Sequence, residues 1–190
     1  DTGHGTHVAG IIAAQAFNGI GGIGIAPGVS ILPVRVLSGS SGTNSTVARG
    51  INWAVEQGAD IINLSLGGTA YSAVVENAVN NAWEHGVTVV AAMCNASLGG
   101  SNIQYYPAAL DHVIAVGATD RSGALASFSH YGAWSDVLAP GVSIISTWLR
   151  GAYRSDSGTS MAAPHITGLA AVLAEYLREN ALDNSALTSA

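Results

Sequence analysis

Residues 87–95 read VTVVAAMCN and contain the clearest sign of the fold class. Its first part, Val87 to Ala92, is a short apolar run rich in β-branched residues, and a polar loop follows it. A run of this length and composition predicts a strand that is buried on both faces. Cys94 and Asn95 follow this predicted strand directly after Met93.

On both sides of this strand, strand-like and helix-like runs alternate along the chain. Asp60 to Leu66 predicts a strand and Ser72 to Glu84 a helix, and Val113 to Ala118 predicts another buried strand. This alternation is typical of an α/β fold with a parallel sheet. The other predicted elements are a strand from Ile31 to Leu37, a helix from Val47 to Gln57, a hairpin from Val142 to Thr147 and Tyr153 to Ser157, and a helix from Met161 to Ala174.

The composition limits the class of protein. The 190 residues are 48% hydrophobic and 9% charged, with 24 glycines and a net charge of -6, which suits one compact domain over residues 1–190. All basic residues are arginines and form no basic stripe, so we expect no nucleic-acid partner. No apolar run reaches the ~18 residues of a membrane helix, and the single cysteine excludes an internal disulfide framework.

Two motifs point to nucleophilic catalysis. Residues 4–10 read HGTHVAG and open a predicted helix, and residues 158–165 read GTSMAAPH and open another. A serine hydroxyl such as that of Ser160 needs an adjacent base, and the imidazole of His4 suits that role. Ser160 lies at a helix N-terminus, where backbone N–H groups and the helix dipole favour developing negative charge.

Each motif alone has a simpler interpretation. Gly-Thr-Ser-Met could be a helix cap, and His4 with His7 could be a metal pair, although their spacing of three and the missing Glu do not fit the zinc-protease helix motif. Their order and a separation of about 156 positions favour catalysis. We expect His7 and His165 to be packing residues.

The chain resembles the subtilisin-like serine proteases, the subtilase family. The resemblance rests on the motifs at His4 and Ser160, on residues 18–27 (NGIGGIGIAP), on residues 63–68 (NLSLGG), and on Asn95 after the buried strand. It implies a three-layer α/β/α sandwich and the activity of a serine endopeptidase. In this family the asparagine amide donates to the oxyanion, which is the role implied for Asn95.

The family's triad also contains an aspartate, which precedes the histidine by about 32 positions. Asp1 is too close to His4, and we assign it no triad role. We therefore expect a chain truncated at both ends, with the aspartate in an upstream segment. The 190 residues alone are then expected to be a poor enzyme, since loss of that aspartate in subtilisin costs ~3 × 10⁴ in kcat.

The resemblance also implies how a polypeptide substrate binds. An extended peptide would add as a strand to an edge that contains Ser65, Leu66 and Gly67, with Ser41 and Gly42 on the facing edge. The family usually has glycine where this chain has Cys94, on the wall of the pocket for the residue before the cleaved bond. Tyr105 aligns near the far end of that pocket. Both residues add volume and predict a shallower pocket, unless Cys94 points into the core as a small hydrophobe.

The resemblance further implies structural calcium. The matching ligands are the side chain of Asn18 and the carbonyls of Ala16, Ile20 and Gly22 on one loop, and a Gly-rich loop without metal is the alternative. Relatives of this type are mostly secreted, so we expect an extracellular protein. A propeptide inhibitor is a further partner that the resemblance allows, and we expect a monomer.

Two rival functions belong to other classes. A non-catalytic subtilase-fold domain would bind peptides or act as a scaffold, but the presence of His4, Asn95 and Ser160 argues against a decayed site. A lipase-type hydrolase would need a Gly-x-Ser-x-Gly elbow with the histidine after the serine, and Ser160 lacks the second glycine.

Overall fold

The structure is a computed structural model and describes residues 2–96 and 99–180. The helices are α1 His4–Ala13, α2 Asn44–Glu56, α3 Ala73–Glu84 and α4 Thr159–Glu179, and the strands are β1 Ile61–Leu64, β2 Thr88–Ala92, β3 Val113–Thr119, β4 Val137–Pro140, β5 Ile144–Thr147 and β6 Tyr153–Asp156. A 3₁₀ turn, Leu149–Gly151, joins β5 to β6. Residues 181–190 lie outside the described residues.

A parallel sheet with the strand order β1-β2-β3-β4 forms the centre of the molecule. Ile61 of β1 lies opposite Thr88 of β2, and Val89 of β2 lies opposite Val113 of β3. Every residue of β2 is buried, because a parallel sheet has helices on both faces. The predicted α/β fold is confirmed, and so is the buried strand from which it was inferred.

The two faces of β2 pack against different helices. Val89 and Ala91 contact α2 and α3 in one core cluster, whereas Val90 and Ala92 contact α4 in another. Successive residues of a strand point to opposite faces, so a strand that is buried on both faces packs against two layers of helices. The result is the α/β/α arrangement that the sequence predicts.

α1 packs against α4 and is tied to β5. The apolar part of this contact consists of Val8, Ile11, Ile12 and Met161. The hydroxyls of Ser146 and Thr147 on β5 donate to the carbonyls of His7 and Thr6 at 2.7 and 2.8 Å. The first turn of α1, which begins at His4, is therefore held at the β5–β6 hairpin, and the predicted hairpin is confirmed.

The strand predicted from Ile31 to Leu37 is wrong. Within residues 2–96 and 99–180 this stretch joins no ladder, and the nearest pairing is an isolated bridge between Ser38 and Ser41. Ile31 and Leu32 remain 40% and 41% exposed. A strand needs a neighbour that satisfies its backbone groups, and apolar composition does not supply one.

β4 is a strand that the sequence analysis missed. Val137 pairs with Val116 of β3 at the edge of the sheet. The strand is short, its exposure varies from residue to residue, and it ends in Pro140, which is tolerated only at an edge. None of the helices in the described ranges has the length and apolar character needed to cross a membrane.

Candidate active site

Ser160 is the second residue of α4, and Gly158 precedes the helix as its N-cap. The φ of Gly158 is 157°, a backbone angle that residues with a side chain rarely adopt. A Cβ on Gly158 would also lie 3.1 Å from Asn95 Nδ2. The first N–H groups of α4 have no partner inside the helix, so they and the helix dipole favour negative charge beside Ser160.

The backbone carbonyl of Ser160 has no hydrogen bond within the helix and instead accepts one from a residue that follows β1. Pro164 lies four residues later and has no N–H to donate to this carbonyl. Ser65 Oγ donates to it instead at 2.9 Å. Asn63 Nδ2 donates to Ser65 Oγ at 2.9 Å, and Thr167 Oγ1 donates to Asn63 Oδ1 at 2.8 Å. The carboxyl end of β1 therefore fixes the first turns of the helix that carries the nucleophile.

Asn95 lies beside this helix start. Its Oδ1 accepts from Thr159 N at 2.9 Å and from Thr159 Oγ1 at 3.1 Å. Because a backbone N–H only donates, the amide oxygen must face Thr159, which settles the orientation of the amide. No hydrogen bond within the described residues uses Asn95 Nδ2, which is thus left as a donor next to Ser160. A donor in this place suits an oxyanion.

His4 is half-buried at the start of α1. Burial lowers the pKa of the imidazole below its ordinary value of 6.5, Asp156 raises this pKa and His7 lowers it, and burial has the largest effect. His4 is therefore neutral near pH 7. A neutral imidazole is the form that can accept a proton from a serine.

His4 and Ser160 begin two helices that pack against each other. In the part of the chain that the structure describes, Ser160 Oγ donates to the Ser65 carbonyl at 3.3 Å, and no hydrogen bond joins it to His4. Catalytic hydrogen bonds are often long before a substrate binds. The pairing of His4 with Ser160 stays a prediction.

Cys94 and Gly67 meet at the predicted substrate edge. The thiol is half-buried, and a Cβ placed on Gly67 would lie only 2.7 Å from Cys94 Sγ. Burial raises the pKa of the Cys94 thiol to about 11. The thiol therefore faces the edge that contains Gly67, which agrees with the pocket-wall interpretation, while its contact with a substrate stays a prediction.

Tyr105 lies near the edge that contains Gly67, because the next residue, Tyr106, pairs with Gly68. Gly68 and Tyr106 exchange backbone hydrogen bonds of 2.9 and 2.8 Å. The Tyr105 ring stacks on the buried His130, with centroids 4.5 Å apart. Leu66, by contrast, packs half-buried against the core next to β1 and β2, so its side chain supports the sheet.

Ser41 and Gly42 lie in an exposed turn before α2. Ser41 pairs with Ser38, and a Cβ on Gly42 would lie 2.6 Å from the Leu37 side chain. Among the described residues, no hydrogen bond connects this turn with Ser65. The predicted role of Ser41 and Gly42 in binding a substrate therefore stays a prediction.

The predicted calcium ligands, Ala16, Asn18, Ile20 and Gly22, lie on one loop after α1. Asn18 Oδ1 accepts from Ile20 N at 3.0 Å, which fixes this side chain on the loop. All four candidate ligand atoms are oxygens, which calcium prefers, but calcium needs six to eight of them. The described residues contain no group of three or more His, Cys, Asp or Glu that could hold a metal. The type of ligand on this loop therefore suits calcium, and a complete site would need further oxygen ligands.

Sequence analysis missed several side chains that build the site. Thr159 positions Asn95, and Asn63 with Thr167 positions Ser65. Pro164, four residues after Ser160, is a sequence signal that could have pointed to a free carbonyl. Nothing in the sequence pattern indicates that Asp156 acts on His4.

Comparison with protein families identifies the family of the chain. The model of the Subtilase family matches residues 1–189, and the chain belongs to this family. The resemblance inferred from the motifs is confirmed.

Individual relatives are serine proteinases. The chain is 52% identical over 178 residues to a thermophilic serine proteinase of Bacillus sp. (strain AK1), covering 93% of this chain and 44% of that protein. It is 51% identical over 177 residues to thermitase of Thermoactinomyces vulgaris, covering 93% and 62%. It is 50% identical to subtilisin DY of Bacillus licheniformis over 177 residues, covering 92% of the chain and 64% of the relative. The chain thus spans about half to two thirds of the length of these relatives.

Solved structures show the same fold. A cold-adapted subtilisin-like serine proteinase superimposes with a TM-score of 0.85 at 39% identity, covering 98% of this chain and 66% of that one. The prenylagaramide maturation protease PagA superimposes with a TM-score of 0.86 at 33% identity, covering 96% and 68%.

Proposed function

We propose that this chain carries the catalytic machinery of a serine endopeptidase that cleaves extended polypeptides. The observation that carries this proposal is the contact between Asn95 Oδ1 and Thr159. It fixes an amide donor beside Ser160, where the negative charge of an acyl-transfer transition state develops.

In the proposed reaction, Ser160 Oγ attacks the scissile carbonyl while His4 takes its proton. Asn95 Nδ2 and the backbone N–H of Ser160 stabilise the resulting oxyanion. His4 then gives the proton to the leaving amine, and water hydrolyses the acyl-enzyme by the same steps. Among the described carboxylates none hydrogen-bonds to His4, so the proposal places the orienting aspartate upstream of it, in the family's chain order.

The substrate would bind as an added strand. The backbone at Gly67, next to the paired Gly68 and Tyr106, offers the edge for this strand. Cys94 Sγ occupies space against Gly67. The proposal therefore includes a preference for small or medium side chains before the cleaved bond.

A peptide-binding domain without catalysis is the second candidate. It is favoured by one observation, the hydrogen bond of Ser160 Oγ to the Ser65 carbonyl rather than to His4. Labelling of the serine distinguishes the two functions.

The deciding experiment is active-site labelling in the full-length protein. A fluorophosphonate should label Ser160 alone, since the proposal gives this hydroxyl a general base and oxyanion donors. Ser160→Ala should abolish labelling and lower kcat by about 10⁶, the size found when subtilisin loses its serine. Ser155→Ala, at an exposed serine of β6, is the matched control and should keep both the labelling and the kcat. A label on another residue, or full activity in Ser160→Ala, would end the proposal.

Calcium at the loop around Asn18 and secretion belong to the same proposal. Calcium would hold the loop through the Asn18 side chain and neighbouring carbonyls, and it takes no part in the chemistry. Secretion is supported by family membership. Immunodetection of the protein in cells but never in their medium would contradict secretion.

A further inference from the structure

Trp148 follows β5 and packs against the chain that enters α1. A Cβ on Gly3 would come 2.6 Å from both Cε2 and Cζ2 of the indole and 3.0 Å from its Cδ2. Because Cε2 and Cδ2 are the two atoms shared by the fused rings, Gly3 can approach them only over the face of the indole. Gly3, the residue before His4, therefore packs directly on the Trp148 ring.

The start of α1 lacks a side-chain cap. Its N-cap is Gly3, with a φ of 76°, and glycine has no side chain that could accept from the first N–H groups of the helix. Glycine also has more backbone conformations open to it than other residues have. The Gly3 carbonyl accepts from His7 N at 3.0 Å, which is the first hydrogen bond of the helix. The position of the first turn therefore depends on the groups that pack around Gly3.

The β5–β6 hairpin holds the indole in place. Trp148 N donates to the Ala152 carbonyl at 2.6 Å, and the Arg154 guanidinium lies over the ring at 4.6 Å from a centroid, a cation–π contact. His7 meets the indole edge-on, with centroids 6.0 Å apart and planes at 76°. His7 Nε2 itself lies 3.1 Å from the Ile144 carbonyl and 3.0 Å from the Arg154 carbonyl. The Trp148 ring is thus a fixed surface against which α1 begins.

This contact affects the proposed general base. In residues 2–96 and 99–180 no hydrogen bond holds the imidazole of His4, so the position of this ring follows the backbone at the start of α1. An upstream aspartate would set the rotation of the imidazole about its side-chain bonds, but it would not set the position of the helix. A displacement of about 1 Å can lower the rate of a catalysed reaction ~10²-fold.

We propose that Trp148 is a positioning residue for the general base, because its indole fixes the start of α1 and with it the imidazole of His4 relative to Ser160. This inference rests on the proposed peptidase function. Trp148→Ala should lower kcat at least tenfold and change KM less than twofold, since the substrate edge at Gly67 contacts Cys94 and Tyr106 and not the indole.

The first test needs no catalysis and uses the full-length protein with Ser160→Ala. Gly58 is the matched control for Gly3, because its φ is also 76° and a Cβ there would have nothing within 4 Å. Gly3→Ala should lower the urea midpoint more than Gly58→Ala does, because it adds a clash with the indole to the same backbone strain. When Trp148→Ala is also present, the effect of Gly3→Ala should fall to that of Gly58→Ala.

Hydrogen exchange of the His7 amide reports directly on the first turn, because this amide donates to the Gly3 carbonyl. Trp148→Ala should accelerate its exchange at least tenfold, whereas Trp148→Phe, which keeps a flat ring, should change it less than threefold. Trp53→Ala removes an indole of α2 that is 42% exposed and is the control for the general loss of a tryptophan. It should leave the exchange of this amide unchanged.

The second test measures cleavage of an internally quenched peptide by the active full-length protein. Trp148→Ala should show the predicted loss of kcat at a nearly constant KM, and Trp148→Phe should keep at least a third of the native kcat. Trp53→Ala should keep both constants. A structural role alone would lower the amount of folded protein, which active-site titration corrects, and would not be rescued by phenylalanine.

The outcomes separate this inference from the proposed function. If the native sequence cleaves the peptide and Trp148→Ala keeps its kcat, or if Trp53→Ala loses as much, the inference is wrong and the function stands. If the native sequence cleaves no peptide, the function is wrong, and the exchange of the His7 amide decides whether Trp148 holds the start of α1. Unchanged exchange in Trp148→Ala, with an equal effect of Gly3→Ala in both backgrounds, would overturn the inference in either case.

Discussion

Cys94 has a backbone conformation that favours glycine, and its thiol is protonated. Its φ is 67°, a region that costs residues with a Cβ about 1–2 kcal/mol. Its pKa of about 11 keeps the thiol uncharged at neutral pH, so it behaves as a small hydrophobe and not as a nucleophile. The contact with Gly67 places this residue beside the edge that is predicted to bind the substrate.

Replacing Cys94 with glycine should widen the pocket. In the active full-length enzyme, Cys94→Gly should accept larger aromatic residues before the cleaved bond and resist inhibition by a mercurial, which otherwise crowds the pocket. Stability should change little, because relief of the positive φ offsets the greater chain entropy of glycine, ~0.5–1 kcal/mol. Cleavage of a peptide series, with and without the mercurial, measures these effects.

Cys94→Ser separates volume from thiol chemistry. This variant should resist the mercurial but keep the narrow selectivity, since the serine has nearly the size of cysteine. If Cys94→Gly alters neither selectivity nor mercurial sensitivity, the thiol is remote from the substrate.

At the scale of elements, the position of His4 depends on how closely α1 approaches β5. Gly10 lies at the contact, where a Cβ would come 2.1 Å from Thr147 Oγ1 and 2.4 Å from Ser146 Oγ. Gly5, in the same helix, would have nothing within 4 Å of a Cβ. One glycine of α1 is therefore needed for packing and the other is not.

Gly10→Ala should destabilise the protein by about 1–3 kcal/mol, because overpacking forces α1 away from β5. Gly5→Ala is the matched control and should be neutral or more stable by about 0.5–1 kcal/mol, because alanine is the better helix former. Urea unfolding of the two variants measures the difference. Equal stability of both variants would contradict the close contact between α1 and β5.

At the scale of the whole molecule, two half-buried histidines link folding to pH. Burial is the main cause of the lowered pKa of both His4 and His165, and a hydrogen bond to the Met161 carbonyl partly opposes it at His165. The unfolded chain therefore binds protons at a higher pH than the folded chain does.

The free energy of unfolding should accordingly fall as the pH drops below 6.5, the ordinary histidine value. The contribution of these groups is fully present above that pH and is lost as the pH falls through the folded values. His165→Gln should flatten this slope, and His85→Gln, at an exposed histidine, should not. Urea titrations at several pH values test this, and identical slopes in the three proteins would contradict it.

Calcium binding should appear as a gain in thermal stability of the full-length protein. A ligand that binds only the folded state at about 100 times its Kd adds ~2.7 kcal/mol, or roughly 5–10 °C in Tm for a domain of this size. Asn18→Ala should lose the gain, and Asn102→Ala, on an exposed loop, should keep it. An unchanged Tm after demonstrated metal removal would exclude calcium from the account.

Much of the fold could be predicted because local sequence patterns indicate most of its helices and strands. β2 is buried along its whole length and is apolar apart from Thr88, and Asn95 and Ser160 lie at the boundaries of segments whose type is visible in the sequence. The stretch from Ile31 to Leu37 shows the limit, since its apolar composition predicts a strand but no partner pairs with it among the described residues. For β4 the sequence analysis erred in the opposite direction. The pattern of this segment is weak and predicted no strand, but the segment forms one because it pairs with β3.

The fold class, the family and the identities of the proposed nucleophile, base and oxyanion donor could be inferred from the sequence, because they depend on periodicity and short motifs. Which groups meet across the chain is visible only in the folded structure. The hold of Thr159 on Asn95, the hold of Ser65 on the Ser160 carbonyl, and the charge of Asp156 beside His4 are of this kind. Hydrogen bonds and electrostatic interactions depend on distance in space, and residues far apart in the sequence become neighbours only when the chain packs.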